Sequence, residues 1–327
     1  MSGETTDMVY VVILNWLRWE ETIPCLETVL KLDHDRYRVV ICDNASTNDS
    51  LEKITAWLEG SLALDFSGDS RADLILPCAP KPVPFRLLQE CDLPAEHRDD
   101  APVTVIANSA NHGYAGGNNV GLRYALSDPR CSATWILNND VAVTPGALSP
   151  LVEAMGDGIG ILGSTILNYA GGDLQMPGGA RYNRYSGKSQ FLPGGGAAEH
   201  DRLDYIAGCS MLLTREVLAA TGLLCEDYFL FYEEFDFTLR ANRAGFASRY
   251  VPASVVYHKQ AATTGRAGIV DFYTLRNRLV FTRRFFPAYY PSVFISVLIT
   301  AGVRVLRGEP GQGYRIMRLA INPGQDY

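Results

Sequence analysis

The feature that most limits what this chain can fold into is a pair of short, nearly unbroken apolar runs with one helical segment between them. They are Met8-Val-Tyr-Val-Val-Ile-Leu14 and Arg38-Val-Val-Ile-Cys42. A strand that is apolar at every position, rather than every second one, is covered on both faces, as in a parallel sheet between layers of helices. Between the runs, residues 22–32 carry Ile23, Leu26, Val29 and Leu30 at helical spacing, so the three segments predict a β-α-β unit. Ser46, Thr47, Asn48 and Asp49 then supply capping side chains ahead of a helix over about 50–58. Strands over 103–107 and 134–137 bracket a Gly-rich turn and a helix from about 116 to 126. This alternation predicts an α/β fold with a doubly wound, mostly parallel sheet flanked by helices.

Two stretches interrupt the rhythm. Residues 60–101 contain Pro77, Pro80, Pro82, Pro84 and Pro94 and are expected as an irregular insertion without chemistry of its own. Residues 168–200 are rich in glycine, with Tyr182, Tyr185 and Phe191 among them, and are expected as a hairpin or a mobile flap. A strand over 210–213, a helix near 215–220 and a helix over about 233–244, stopped by Gly245, follow. These elements define a domain over residues 1–265. From 266 to 327 a helical extension is expected in which Arg266, Arg276, Arg278, Arg283, Arg284, Arg304, Arg307, Arg315 and Arg318 face only Asp271, Glu309 and Asp326. Its longest apolar stretch, 293–303, is broken by Ser296, Thr300 and Gly302 and reads as too short to span a bilayer.

Bulk properties remove several function classes. A formal charge of -7 provides no basic field for phosphates of a nucleic acid, so no nucleic-acid partner is expected. The seven cysteines are scattered and lack a C-x-x-C pair, which argues against zinc or a redox dithiol and for small buried side chains in a reducing compartment. Met1–Leu14 has neither a basic leader nor a small-residue cleavage site, so no signal peptide and a cytoplasmic location are expected.

In a doubly wound sheet, ligands bind beyond the C-terminal ends of the strands. Three such ends are polar: Asn15, then Asp43-Asn44-Ala45-Ser46, then Asn138-Asn139-Asp140. Asp140 is placed either to hold a hard cation against a diphosphate or to form a turn before Pro145. The run from Asn111 to Gly121 is not a dinucleotide fingerprint, which would follow the first strand, where residues 15–20 contain no glycine. It fits a close-packed turn beneath a sugar nucleotide, with Asn119 available for hydrogen bonding, or a purely structural turn. Glu233-Glu234-Phe235-Asp236 opens a helix, with Asp236 and Arg240 spaced for an ordinary ion pair. Its adjacent carboxylates would also raise each other's pKa toward the range of a general base. His258, after the strand-like 254–257, reads as a structural histidine or a ligand.

Taken in order from about Val9 to Arg284, these segments resemble the inverting family 2 glycosyltransferases of GT-A fold, in particular their rhamnosyltransferase-like bacterial branch. Residues 39–50 are similar to the family's nucleotide-base loop, 111–121 to its Asn-x-Gly-Phe-x-x-Gly-x-Asn stretch, and 137–140 to its variant of the D-x-D metal motif. Residues 229–236 with Arg240 are similar to its E-D-x-D-x-x-x-R motif. The resemblance implies that Asp43 contacts the base, that Asn15, Asn44, Asn119, Asn138 and Asn139 line the nucleotide sugar, and that Asp140 and His258 hold Mn²⁺ or Mg²⁺. It implies Glu234, or Glu233, as the base.

Two departures stand out: Glu234 where the family usually has Asp, and Asn138 where many relatives have Asp. The implied activity moves a sugar with inversion from a nucleoside-diphosphate donor, UDP- or dTDP-linked favoured, to a saccharide or lipid-linked acceptor in surface polysaccharide or glycolipid synthesis. A nucleotide-sugar-binding protein with weak or lost turnover is the alternative that the two departures favour. Tyr273, Arg276, Asn277 and residues 283–286 resemble the family's helical tail, whose basic and aromatic character suits peripheral contact with the cytoplasmic membrane face, packing on the core, or a homodimer interface.

Overall fold

The two apolar runs become the centre of the sheet. The computed structural model describes residues 7–98, 100–176, 179–191, 203–259 and 267–322. β1 (Met8–Asn15), α1 (Trp19–Val29) and β2 (Tyr37–Asp43) form the expected unit, with β1 and β2 parallel in register from Val9 opposite Tyr37 to Asn15 opposite Asp43. α2 (Ser50–Glu59) follows and ends at Gly60, whose φ of 84° is a left-handed stop that glycine adopts without strain.

Residues 60–101 are less irregular than expected. They contain α3 (Ala72–Ile75) and β3 (Phe85–Gln89), which adds a parallel edge strand beside β4 (Val103–Ala107). Next come α4 (Gly113–Leu126), β5 (Cys131–Asn138), β6 (Val141–Val143), α5 (Ser149–Glu153), β7 (Ile159–Asn168) and β8 (Leu174–Met176). β9 (Gly179–Tyr182) and β10 (Ser189–Phe191) form the hairpin expected in the glycine-rich stretch, joined by β11 (Tyr205–Ile206) into a small second sheet. The rest of that stretch, 192–200, lies outside the described residues. β12 (Ser210–Thr214), α6 (Arg215–Thr221), α7 (Glu233–Arg243) and β13 (Ala247–His258) complete the main domain.

The main sheet runs β3-β4-β2-β1-β5-β12-β7-β13-β6, with β8 paired to β7. The block from β3 to β5 is parallel, β12 is antiparallel to both β5 and β7, and β13 is parallel to β7. The strand order turns at β1, so the crevice expected of a doubly wound sheet opens between the ends of β1 and β5. Along β1, Val9, Val11 and Ile13 pack on one face with Ile23, Leu26, Ile54 and Leu58, while Tyr10 and Val12 pack on the other with Val120 and Tyr124. Each fully buried aliphatic side chain stabilises the fold by about 1.5–3 kcal/mol, which is why period-one hydrophobicity commits this strand to the sheet's interior.

α8 (Ala267–Phe285), α9 (Tyr290–Leu306) and α10 (Pro310–Ile321) form the C-terminal extension; the expected boundary at 265/266 falls outside the described residues. The three helices share a core of their own, including Leu275, Leu279, Val293, Val297 and Ile316. A second cluster, Tyr182, Tyr228, Tyr232, Phe235 and Phe281, joins α8 to β9 and to the start of α7. The reading of 293–303 as too short is revised: a 3-10 turn at Pro287–Tyr289 leads into α9, giving a helical span over 287–306 that is long and apolar enough to cross a membrane by length and composition.

Candidate active site

The expected site residues fall into two groups on either side of the loop before β12, and a third group supports them. The first group lies at the end of β5. Asp140 is 4% exposed, and its carboxylate Oδ1 faces His258 Nε2 at 3.4 Å. That separation exceeds the about 2.7–3.2 Å of a well-made hydrogen bond. Gln175 Nε2 donates to Asn168 Oδ1 at 3.1 Å, which turns Gln175 Oε1 toward His258 Nδ1 at 2.8 Å and fixes the ring. Lys259 N donates to the Asp140 carbonyl, and the Lys259 ammonium pairs with Glu21 at 2.6 Å over the ring of Tyr169. Asn138 Oδ1 is a buried oxygen with no hydrogen-bond partner among the described residues.

The second group is the carboxylate pair. Glu233 is 1% and Glu234 8% exposed. Burial, together with the Glu234 carboxylate beside it, pushes Glu233 well above the usual carboxylate range. Burial pushes Glu234 up to about 7, against the pull of the peptide N–H groups of Glu234, Tyr232 and Gly208. The sequence anticipated the mutual repulsion, but desolvation is the larger cause. Tyr114 from α4 and Tyr205 from β11 face the same pair, and their phenols are pushed up by burial and by the two carboxylates. Cys209 lies between the groups: after burial, Asp140 and then Glu234 are the charges that raise its thiol. Its carbonyl accepts from Asn138 N at 3.1 Å, so adjoining strands set the spacing of the two halves.

The third group consists of struts. Asn15 Nδ2 donates to Asp43 Oδ1 at 2.6 Å and to Ser46 Oγ at 3.3 Å. Asn44 Nδ2 donates to Asn111 Oδ1 and to the Gly113 carbonyl. Asn119 Nδ2 donates to the Leu224 carbonyl and to Glu226 Oε1, and Asn139 Nδ2 to Thr22 Oγ1 and the Arg18 carbonyl. An amide nitrogen has two hydrogens, and in each of these four both are directed at protein. These amide nitrogens brace the ends of β1, β2 and β5 and the start of α4. Asp43 is likewise engaged by Asn15, by Ser46 Oγ at 2.7 Å and by Ser46 N at 3.0 Å, which shapes the loop after β2. Asp236 is a buried ion-pair partner of Arg240 at 2.5 Å, as its spacing predicted.

Three features were not found from sequence. A Cβ on Gly208 would stand 2.6 Å from Glu234 Oε1, so glycine is what lets the carboxylate occupy its place. Lys259 brings a cation beside Asp140 and His258. A cavity of about 580 Å³ opens at His258 and Lys259, walled by Asp69 and Ser70 of the insertion and by the turn after β7. Among the described residues no group of three or more His, Cys, Asp or Glu side chains forms a ready cation site. A cation here would draw on Asp140 and His258 and complete its shell from a ligand. Their oxygen and nitrogen donors, held apart at 3.4 Å, suit Mn²⁺ or Mg²⁺ in that manner.

Residues 91–220, which span α4, β5, the Asn138-Asn139-Asp140 end and β12, match the family model described as Glycosyl transferase family 2. Over these residues the chain is similar to the family 2 glycosyltransferases. The chain is 32% identical over 144 residues to a low-salt glycan biosynthesis hexosyltransferase of Haloferax volcanii, a match that covers 42% of this chain and 46% of the relative. It is 29% identical over 150 residues to an N-acetylglucosaminyl-diphospho-decaprenol L-rhamnosyltransferase of Mycobacterium tuberculosis, covering 40% of this chain and 49% of that one. The matches thus span about half the length of these curated relatives. The fold of the chain is similar to that of GalNAc-T7 solved with UDP, GalNAc and Mn²⁺, with a TM-score of 0.61 at 17% identity, covering 90% of this chain and 50% of that one. It is also similar to a mannosyltransferase of Pyrobaculum calidifontis solved with GDP-Man and Mn²⁺, with a TM-score of 0.58 at 12% identity, covering 97% of this chain and 88% of that one. These likenesses identify the architecture as GT-A.

Proposed function

We propose that the protein transfers a hexosyl or deoxyhexosyl group from a nucleoside-diphosphate sugar to an acceptor hydroxyl, with inversion, in glycan synthesis on a lipid-linked acceptor. The observation that carries this reading is the pairing, across Cys209, of a cation-suited Asp140 and His258 with a carboxylate raised to about 7. Glu234 takes the proton of the acceptor hydroxyl as its oxygen attacks the anomeric carbon and the bond to the diphosphate breaks. A carboxylate raised toward neutrality is a stronger base than an ordinary one and still ionises at physiological pH. Glu233, held well above the usual carboxylate range by burial and by the Glu234 carboxylate, gives up its proton less readily than an ordinary carboxyl. Asp140 and His258 would hold Mn²⁺ or Mg²⁺, which offsets the charge of the departing diphosphate. Lys259 adds a protein cation on the same side, and the cavity walled by Asp69 and Tyr169 accommodates the sugar or acceptor. UDP- and dTDP-linked sugars are the favoured donors.

The extension supports a location on the cytoplasmic membrane face. On α9, Ile295, Leu298, Ile299 and Leu306 form an exposed stripe, continued on α10 by Tyr314, Met317 and Ile321. Arg307, Arg315 and Arg318 border it without an acidic partner among the described residues, although the whole chain carries -7. An apolar stripe edged with arginine suits an anionic bilayer surface. Sedimentation with anionic vesicles, abolished by Ile299→Glu, is expected; a homodimer in solution with no vesicle binding would contradict it.

The deciding experiment incubates the protein with UDP-, dTDP- and GDP-sugars, Mn²⁺ or EDTA, and polyprenyl-diphosphate saccharides. Metal-dependent transfer from one donor family is expected. Donor binding without any turnover would instead favour a nucleotide-sugar-binding protein.

A further inference from the structure

The turn ahead of the carboxylate pair has an unusual backbone. Phe229, Phe231 and Tyr232 have φ of 62°, 66° and 79°, in the left-handed region that non-glycine residues avoid. Three such residues within four positions are strained, so surrounding structure must hold the turn in place. The carbonyls identify what does so. Asn277 of α8, fully buried, directs Nδ2 at the carbonyls of Tyr228 (2.9 Å), Leu230 (2.8 Å) and Phe231 (2.8 Å). Arg276 Nη1 donates to the Asp227 carbonyl at 3.0 Å and to Asn277 Oδ1 at 2.8 Å, which orients the amide. From the other side Tyr114 N donates to the Phe229 carbonyl at 2.6 Å. With the carbonyls drawn away, the N–H groups of Phe231 and Tyr232 are left to support Glu233 and Glu234, respectively.

We propose that Asn277 is a positioning residue for the transfer reaction, holding the left-handed turn at 229–232 so that Glu233 and Glu234 stand at the cleft. The extension is then part of the active site's framework. This rests on Glu234 acting as the base, and the test separates the two claims.

The full-length chain is compared with Asn277→Ala, with the milder Asn277→Ser, which keeps one donor, and with Asn277→Ala combined with Phe231→Gly. Glycine accepts a left-handed φ without a clamp. Asn277→Ala is expected to lower kcat by about 100-fold, as for a base misplaced by about 1 Å, while donor KM stays unchanged. Asn277→Ser should fall between, and Phe231→Gly should restore most of the loss. Loss of the ordered N–H groups should also move the acid limb of the kcat profile to higher pH. The other titratable groups around the pair, namely Tyr114, Tyr205 and Cys209 beside Glu234 and Asp236 beside Glu233, are unchanged in all variants. Amide exchange at 229–234 should rise in Asn277→Ala and fall again in the double variant.

Unchanged kcat and unchanged exchange at 229–234 would overturn the proposal, as would a loss of kcat that Phe231→Gly does not relieve. If the unmodified chain transfers no sugar, the proposed reaction fails, and the exchange measurements still decide whether Asn277 holds the turn.

Discussion

Replacing Glu234 with glutamine tests the proposed chemistry through two quantities that move in opposite directions. Raising this carboxyl from 4.5 to about 7 costs its charged form about 3 kcal/mol, at about 1.4 kcal/mol per pH unit. The folded chain holds the proton more tightly than the unfolded one. Its contribution to stability is therefore full below pH 4.5 and is lost as pH rises through about 7. Above pH 7 the native protein carries the whole cost. Glutamine has the same shape and no charge, so Glu234→Gln should be more stable than the native chain by up to about 3 kcal/mol at pH 8, a rise in Tm of about 5 °C. At pH 4 the two should melt together. The same substitution removes the proton acceptor, and transfer should fall by about 10²–10⁴-fold with donor binding retained. Calorimetry at pH 4 and pH 8, with initial rates from pH 5.5 to 8.5, measures both effects. A variant that melts lower at pH 8, or that keeps more than a tenth of the native rate, refutes the reasoning. If Glu233→Gln shows the kinetic loss instead, the base is the neighbouring residue.

Other consequences are equally direct. Asp140→Ala should abolish the Mn²⁺-dependent rise in melting temperature with a bound nucleotide sugar, and retention of that rise would remove Asp140 from the cation site. Gly208→Ala, whose Cβ would stand 2.6 Å from Glu234 Oε1, should reduce kcat with little change in donor affinity, as read by steady-state kinetics. Arg240→Met should lower stability by about 3 kcal/mol in urea unfolding, because it removes the closest cation from the buried Asp236 carboxylate.

The sequence revealed those parts of the fold whose signal is local. β1, β2, β4 and β5 are dominated by apolar residues on both faces, with few polar interruptions such as Thr104 and Thr134, and each was recognisable for that reason. β7 was missed because Gly160 and Gly163 dilute its apolar pattern, although a Cβ on Gly160 would stand 2.8 Å from Val217, as in a strand packed closely on its neighbours. β3 was hidden by the prolines around it, since an edge strand with half-exposed side chains carries little hydrophobic signature. In the site, Asp140, His258, Glu233 and Glu234 could be singled out as charged groups at element ends. The hydrogen-bond partners of Asn15, Asn44, Asn119 and Asn139 could not be read, because they lie on other elements, and Asn119 meets Leu224 more than a hundred residues away. The carbonyls that Asn277 holds lie more than forty residues before it, and Gly208 meets Glu234 from a different element, so neither contact is written in the local sequence.

The hydrogen bond from Asn138 to the Cys209 carbonyl has a consequence for engineering. Because neighbouring strands fix Cys209 against the end of β5, the place of Cys209 beside Asp140 does not depend on the loops that wall the cavity. Residues 68–70 and 169–173 form much of that wall and belong to surface segments outside the ladder. Grafting other sequences at these two segments should therefore retarget which sugar or acceptor is taken while leaving the reaction itself intact, which makes them the natural sites for diversification in a directed-evolution library.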